Sequence, residues 1–193
     1  MPPRGRITRD MVADAAFRIA RETNWKDINA RNLAKQLDCS TQPVMYHFDT
    51  VEDIKKAAYQ KADRFHTEYL MNIEGSQEPM LKIGLNYIRF SVEEPSLFRF
   101  LFQSGYGPHT DLLTMIGSSE LEPLLAVMMQ AMNTTAEKAR EIFATLAIFT
   151  HGYASLLANH YMEYDEVSAS EHLTRAYDGA VAAARGEKDE KSI

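Results

Sequence analysis

Apolar side chains recur every three or four residues along most of this chain, and no stretch alternates apolar with polar residues as a half-buried strand must. That periodicity commits the backbone to helices, so the expected fold class is all-α. Local punctuation says where each helix runs. Thr8 caps a first helix through Glu22, with Asp10 in its favourable first turn and a stripe of Met11, Val12, Ala15, Ala16, Ile19 and Ala20. Trp25 and Ile28 follow at a bend, as packing residues. A long helix is expected from Val51 to about Ile73, ended by Gly75-Ser76, and another from Pro79 to Val92, stopped by Glu93-Glu94-Pro95. SLFRFLFQSGYGPH reads as a short buried helix and a loop. After a break at Gly117-Ser118, a helix with Pro123 near its first turn runs through Met132. Capping boxes at Thr134-x-x-Glu137 and Ser168-x-x-Glu171 open two final helices, which end near Tyr161 and before Gly186.

One segment is more specific than the rest, NARNLAKQLDCSTQPVMYHF from Asn29 to Phe48. Leu33, Ala34 and Leu37 fall on one helical face, and Val44, Met45 and Phe48 repeat the spacing after a polar break. Two short helices with a tight turn result. Asn29 can cap the first and Ser40 the second, and Pro43 then lies in a first turn, where its missing N–H costs little. Ala34 is small where the two axes cross, and Asp38 stands at a corner that often needs a positive φ. This is helix-turn-helix geometry, with the second helix shaped for a DNA major groove.

The order Leu33-Ala34, Leu37, Cys39-Ser40, Thr41-Gln42-Pro43-Val44 and Tyr46-His47-Phe48, followed by an acidic helix start, resembles the tetracycline-repressor (TetR) family of bacterial transcription regulators. The likeness implies a helix-turn-helix DNA-binding head over residues 1–50 and a helical regulatory and dimerisation body over 51–193. It departs from the family pattern at three positions. Asp38 stands where a glycine is usual, Met45 where a tyrosine reaches a phosphate, and Val51 where a lysine does. Lys55 and Lys56, one turn on, are the substitutes for that lysine.

The charge is split to match. The chain carries −6 overall, yet through Phe48 eight basic residues face five acidic ones, a balance of +3 that leaves −9 for the remainder. A basic head on an acidic body suits a protein that meets phosphate at one end. The expected DNA contacts are Arg31, Ser40, Thr41, Gln42, Pro43, Tyr46, His47 and Lys55. Gln42 can pair with adenine, Thr41 can meet a thymine methyl, and Tyr46 and His47 can reach phosphates or methyl groups. An arm from Pro2 to Arg6, with Arg4 and Arg6, can follow a phosphate or enter a minor groove.

Cys39 is the single cysteine, which rules out an intrachain disulfide and suits a reducing cytoplasm. The first ten residues hold no apolar run of a secretion signal, and no later segment has the ~20 uninterrupted apolar residues of a membrane span. A soluble, cytoplasmic protein without membrane contact is expected.

The last two helices carry a surplus of apolar and small residues that a symmetric partner can cover in a four-helix bundle, as the resemblance also implies. The expected homodimer interface is Phe149, Tyr153, Leu157, Leu173, Tyr177 and Val181. Between Leu81 and Met132, aromatics and methionines suit either an apolar ligand cavity or an ordinary core. By resemblance the body holds a small-molecule effector, with Tyr87, Phe90, Phe98, Phe102, Tyr106, Met115 and Met129 as candidate lining.

Enzyme chemistry has no foothold in the motifs. There is no His-Glu-x-x-His, Gly-x-Ser-x-Gly, phosphate-cradling glycine loop or Cys-x-x-Cys, and the six histidines never stand at i, i+4 metal spacing. Neither cofactor nor metal is expected. Two other classes remain open at this stage. One is a helix-turn-helix regulator without a small-molecule inducer, and the other an all-α ligand carrier or enzyme.

Overall fold

In the computed structural model, which describes residues 7–107, 118 and 121–186, the chain is all-α, with no strand among the described residues. Its helices are α1 (Arg9–Glu22), α2 (Ala30–Gln36), α3 (Thr41–Met45), α4 (Val51–Leu70), α5 (Pro79–Glu93), α6 (Pro95–Gln103), α7 (Glu122–Met132), α8 (Ala136–Ala158) and α9 (Glu166–Arg185), with one 3-10 turn at Trp25–Asp27. Compact packing groups them into two units. One comprises Met1–Glu68 with Glu94–Gly107, and the other Tyr69–Glu93 with Pro108–Ile193. This grouping differs from a cut at residue 50, because most of α4 and all of α6 pack with the first three helices.

The first unit is built on α1. Thr8 caps it as expected, its hydroxyl accepting from the Met11 N–H. Val12, Ala15, Ala16 and Ala20 are fully buried, while Met11 turns out to solvent. Small residues on this face let α2, α4 and α6 approach. Trp25 stacks on Phe100 of α6 with ring centroids 5.9 Å apart, and Tyr59 of α4 meets the same ring edge-on at 5.7 Å. Phe98 and Phe100 are therefore core of this unit. Charged ties surround it. Lys61 of α4 bridges Asp10 and Asp14 of α1 at 2.6 and 2.7 Å, and Arg21 Nε donates to Glu94 Oε2 at 2.8 Å. The two carboxylates raise the Lys61 pKa above its ordinary value.

In the second unit α5 packs on α8 and α9, and α7 on α8. Two apolar cores form. Leu125, Met128, Met132, Ile142 and Leu146 make one, and Ile88, Tyr153, Leu157, Ala169 and Leu173 the other. Gly84 allows α5 and α9 to approach closely, since a Cβ there would stand 2.6 Å from Leu173 Cδ2. Buried Asn86 donates to the carbonyls of Leu70 and Asn72 at 3.1 and 3.2 Å, closing the open end of α4.

Several boundaries moved. The helix expected to start at Thr134 is capped one residue later, by Thr135, and ends at Ala158 rather than Tyr161. The helix expected to open at Ser168 begins three residues earlier, with Asp165 accepting from the Ser168 N–H. Its end is as expected, with Gly186 at φ 75°. Gly117 and Met115 lie outside the described residues. By length and composition α8 could also cross a membrane, although its Ala139, Ile142, Leu146 and Leu157 side is occupied by the cores above.

Candidate nucleic-acid interface

The helix-turn-helix is assembled by hydrogen bonds that the sequence specifies residue by residue. Asn29 caps α2, its side-chain oxygen accepting from the Asn32 N–H at 2.9 Å. At the other end Asp38 adopts φ 48°, while the Cys39 N–H reaches the Ala34 carbonyl at 3.0 Å and the Asp38 N–H that of Lys35 at 3.4 Å. That is a Schellman turn, the closure a glycine usually serves, made here with an aspartate. It reverses the chain within three residues. Leu33 and Ala34 are buried on α2, and Val44 on α3 is fully buried.

The reading helix is shorter than the periodicity implies, ending at Met45. Ser40 occupies its N-cap position with extended backbone but makes no side-chain cap bond. Its hydroxyl stands exposed, as do Thr41 and Gln42, whereas Pro43 is half-buried. Tyr46 just beyond the helix is 77 % exposed. Arg31 and Lys35 on α2 are exposed as well. Buried Val44 and Phe48 fix which way this set points.

Two expected contacts are placed differently. His47 is half-buried, and its Nε2 lies 2.8 Å from the Ile7 carbonyl oxygen. Lys55 is half-buried and paired with Glu52 at 2.8 Å, and Lys56 stands 3.6 Å from Asp53. Glu52 also accepts from Tyr106; the Lys55 and then the Tyr106 hydrogen bonds hold its carboxyl below the usual range. The Lys56 pair is solvent-facing, so handing that lysine to a phosphate costs little, whereas the Lys55 side chain is only 17 % exposed. Thr50, not singled out from sequence, caps α4 by accepting from the Asp53 N–H at 3.1 Å while donating to Asp53 Oδ2 at 2.7 Å. That arrangement fixes the corner leading out of the head.

The described residues of the candidate ligand lining belong to two different units. Phe98, Phe102 and Tyr106 belong to the first unit, and Tyr87, Phe90 and Met129 to the second. Phe90 and Phe98 are fully buried, and Phe102 and Met129 are more than a third exposed. Tyr87 hydrogen-bonds His151 Nδ1 at 2.8 Å, with burial pushing the tyrosine pKa up and the histidine pKa down. Two surface hollows lie on the second unit, of about 590 and 220 Å³, and none of the six described candidates is among the lining residues of either. No group of three His, Cys, Asp or Glu able to hold a metal occurs among the described residues.

The expected dimer residues point mostly inward. Tyr153, Leu157 and Leu173 are buried in their own subunit, while Phe149, Tyr177 and Val181 pack against the same cores. The reason is that α8 is apolar on two sides. Its outward side carries Ile148 and Leu156, 62 and 47 % exposed, with Gly152 between them.

An exposed polar edge on a short helix, set by a tight turn against a bundle, defines a helix-turn-helix protein. The comparisons narrow this class. Residues 80–184 match the family model described as "Tetracyclin repressor-like, C-terminal domain". A solved member of the TetR family from Streptomyces coelicolor A3 is similar in fold, with a TM-score of 0.53 at 19 % identity, covering 91 % of this chain and 98 % of that one. No curated protein matches the chain in sequence. The family match covers more than half of the sequence, and the chain belongs to the TetR family, whose members are transcription regulators and generally not enzymes.

Proposed function

We propose that the chain is a sequence-specific DNA-binding repressor that works as a homodimer on a palindromic operator and is released by a small, largely apolar effector. Residues 1–50 form the DNA-binding domain, with Lys55 just beyond it as a further contact, and residues 51–193 carry the regulation and dimerisation. The observation that carries the DNA-binding reading is the row Ser40, Thr41, Gln42 and Tyr46, all exposed on one short element anchored by buried Val44 and Phe48. Arg31 and Lys35 flank it with positive charge, and Lys55 joins them when its pair with Glu52 opens.

Dimerisation is supported by the outward side of α8. Gly152 of α8 and Gly179 of α9 sit inside helices, yet a Cβ at either would meet nothing within 4 Å. An interior glycine costs a helix about 1 kcal/mol relative to alanine. No contact among the described residues accounts for that cost, whereas a second copy crossing closely beside Ile148 and Leu156 would. Two heads so joined would meet half-sites about 34 to 36 Å apart. The protein then acts in the cytoplasm, with no cofactor, no catalytic step and no membrane contact.

Selection of binding sites from random duplexes, by the full chain at moderate salt, tests the reading. A palindromic consensus with half-sites one helical turn apart is the expected outcome, and no preference among duplexes overturns it. Effector control is tested by operator affinity across a ligand library, because a ligand must weaken DNA binding by the factor with which DNA weakens its own. A second reading, a regulator without a small-molecule inducer, is favoured by the full burial of Phe90 and Phe98, each within its own unit.

A further inference from the structure

Within the first unit, one carboxylate joins the start of α4 to the chain leaving α6. Glu52, in the first turn of α4, takes the Lys55 ammonium on Oε1 at 2.8 Å and accepts from the Tyr106 hydroxyl on Oε2. The two partners use different oxygens, so neither displaces the other. Lys55 is held close, its side chain 17 % exposed, whereas Lys56 beside it stays 65 % exposed and 3.6 Å from Asp53.

Tyr106 is the rigid member of this trio. After α6 ends at Gln103, Gly105 turns the chain at φ 80° and the Tyr106 N–H donates to the Ser104 hydroxyl at 3.3 Å. The phenol ring meets Phe100 edge-on with centroids 5.9 Å apart, and Phe100 is fully buried and stacked on Trp25. An exposed ion pair is ordinarily worth little, because two long side chains must be held in one geometry. Here the phenol holds one of them in advance, so the pair keeps more of its attraction. Burial, and then the bond to Glu52, push the Tyr106 pKa up to about 12, so its O–H remains a donor throughout the neutral range.

We propose that Glu52 is an internal competitor of the DNA backbone for Lys55, and that Tyr106 is a positioning residue that holds the carboxylate in place, so that the two restrain the grip of the head on a duplex without touching a base. The inference rests on the DNA-binding reading above. A phosphate that takes Lys55 must first part it from Glu52, and two anions compete for one ammonium. The carboxylate left behind takes up a cation from solution, which offsets the cation that the phosphate gives up.

The test is operator binding by the full chain across a salt series, using the selected duplex, with thermal unfolding as a check on folding. Glu52→Gln keeps the side-chain shape and an acceptor for the Tyr106 hydroxyl while removing the charge. It is expected to tighten binding several-fold at moderate salt and to steepen the fall of log K with log salt by up to about one, the contribution of a single phosphate. Tyr106→Phe keeps the ring against Phe100 and loses only the hydroxyl. It should shift affinity and slope the same way by less, and add nothing in the Glu52→Gln background, because both changes release one lysine. In a Lys55→Gln background Glu52→Gln should lose most of its gain. An equal gain with and without Lys55 would mean that the carboxylate repels the duplex directly, and unchanged affinity and slope in Glu52→Gln would mean that nothing restrains the lysine. A Tyr106→Phe protein that binds as wild type does would mean that the phenol holds nothing in place. Each of these results overturns the inference while leaving DNA binding intact, whereas a wild-type chain with no duplex preference overturns both. If Tyr106→Phe does not fold, the cycle between Glu52→Gln and Lys55→Gln still decides the matter.

Discussion

The outward sides of α3 and α8 make opposite bargains with water. On α3 the exposed residues are Thr41 and Gln42, followed by Tyr46, and each carries a donor or acceptor that water satisfies until a duplex replaces it. On α8 they include Ile148, Gly152 and Leu156, which offer water nothing. Apolar area left in water forgoes about 25 cal/mol per Å² that burial would return. A polar edge can wait for a transient ligand, and an apolar edge wants a standing partner. The contrast supports the proposal that the two faces serve different kinds of association, DNA on one and a second copy on the other.

The harshest way to break the contrast is to place charge on the apolar face. Ile148→Arg is expected to leave the helix content unchanged and to separate the copies, read by sedimentation. Operator affinity should then fall by a factor on the order of 10² or more, since two linked heads gain that much from effective concentration. A dimer that survives Ile148→Arg would place the interface elsewhere. Leu157→Ala, one residue from Leu156 but on the buried side, is the control. It should cost about 2 to 5 kcal/mol of unfolding free energy without creating a new assembly state at low temperature.

Acid acts on the first unit through a buried histidine. His66 of α4 is 8 % exposed, and burial lowers its pKa from 6.5 to about 4. The unfolded chain therefore takes up a proton first, and stability is lost as pH falls through the window from about 6.5 to 4. The whole span is worth about 3 kcal/mol at most. Denaturant unfolding of His66→Leu between pH 7 and 4.5 should show a shallower loss than wild type, and parallel curves would remove His66 from the account.

On the polar face the expected effect is smaller and local. Gln42→Ala should cost about 1 to 3 kcal/mol at one base pair of each half-site and relax selectivity there. Repeating duplex selection with the variant checks it. A uniform loss across all sequences would make Gln42 a phosphate contact instead.

What could be read in advance follows from the range of the physics. Caps, turns and helix spacing act within a few residues, so Thr8, Asn29 and Asp38 were legible from their neighbours. Where two candidates stood side by side, the local signal slipped, as at Thr134 and Thr135. Burial direction was not local. The stripe from Phe143 to Leu157 reports that α8 is apolar, and only the positions of α5, α7 and α9 decide that Tyr153 and Leu157 face home while Ile148 and Leu156 face out. Burial was not local for Phe98 either, which is fully buried within the first unit. The bond from His47 to Ile7 spans forty residues, and no spacing rule could have announced it.

The smallest effect tests the corner that aims α3. Asp38 holds φ 48°, where an L-residue carries a steric cost that glycine does not. Asp38→Gly is therefore expected to raise the unfolding free energy by under about 1 kcal/mol, read as a small rise in the thermal midpoint, because the strain relieved is partly offset by the greater freedom of glycine in the unfolded chain. Its two turn hydrogen bonds, from Asp38 to Lys35 and from Cys39 to Ala34, are made by backbone and survive the change. Operator affinity should then rise a little too, since one negative charge leaves the phosphate-facing side. If stability falls instead, the carboxylate contributes to the turn in a way the backbone geometry does not reveal, and the polar face owes its orientation to a side chain as well as to its fold. Asp38→Asn separates the two cases, keeping the side-chain shape while removing the charge.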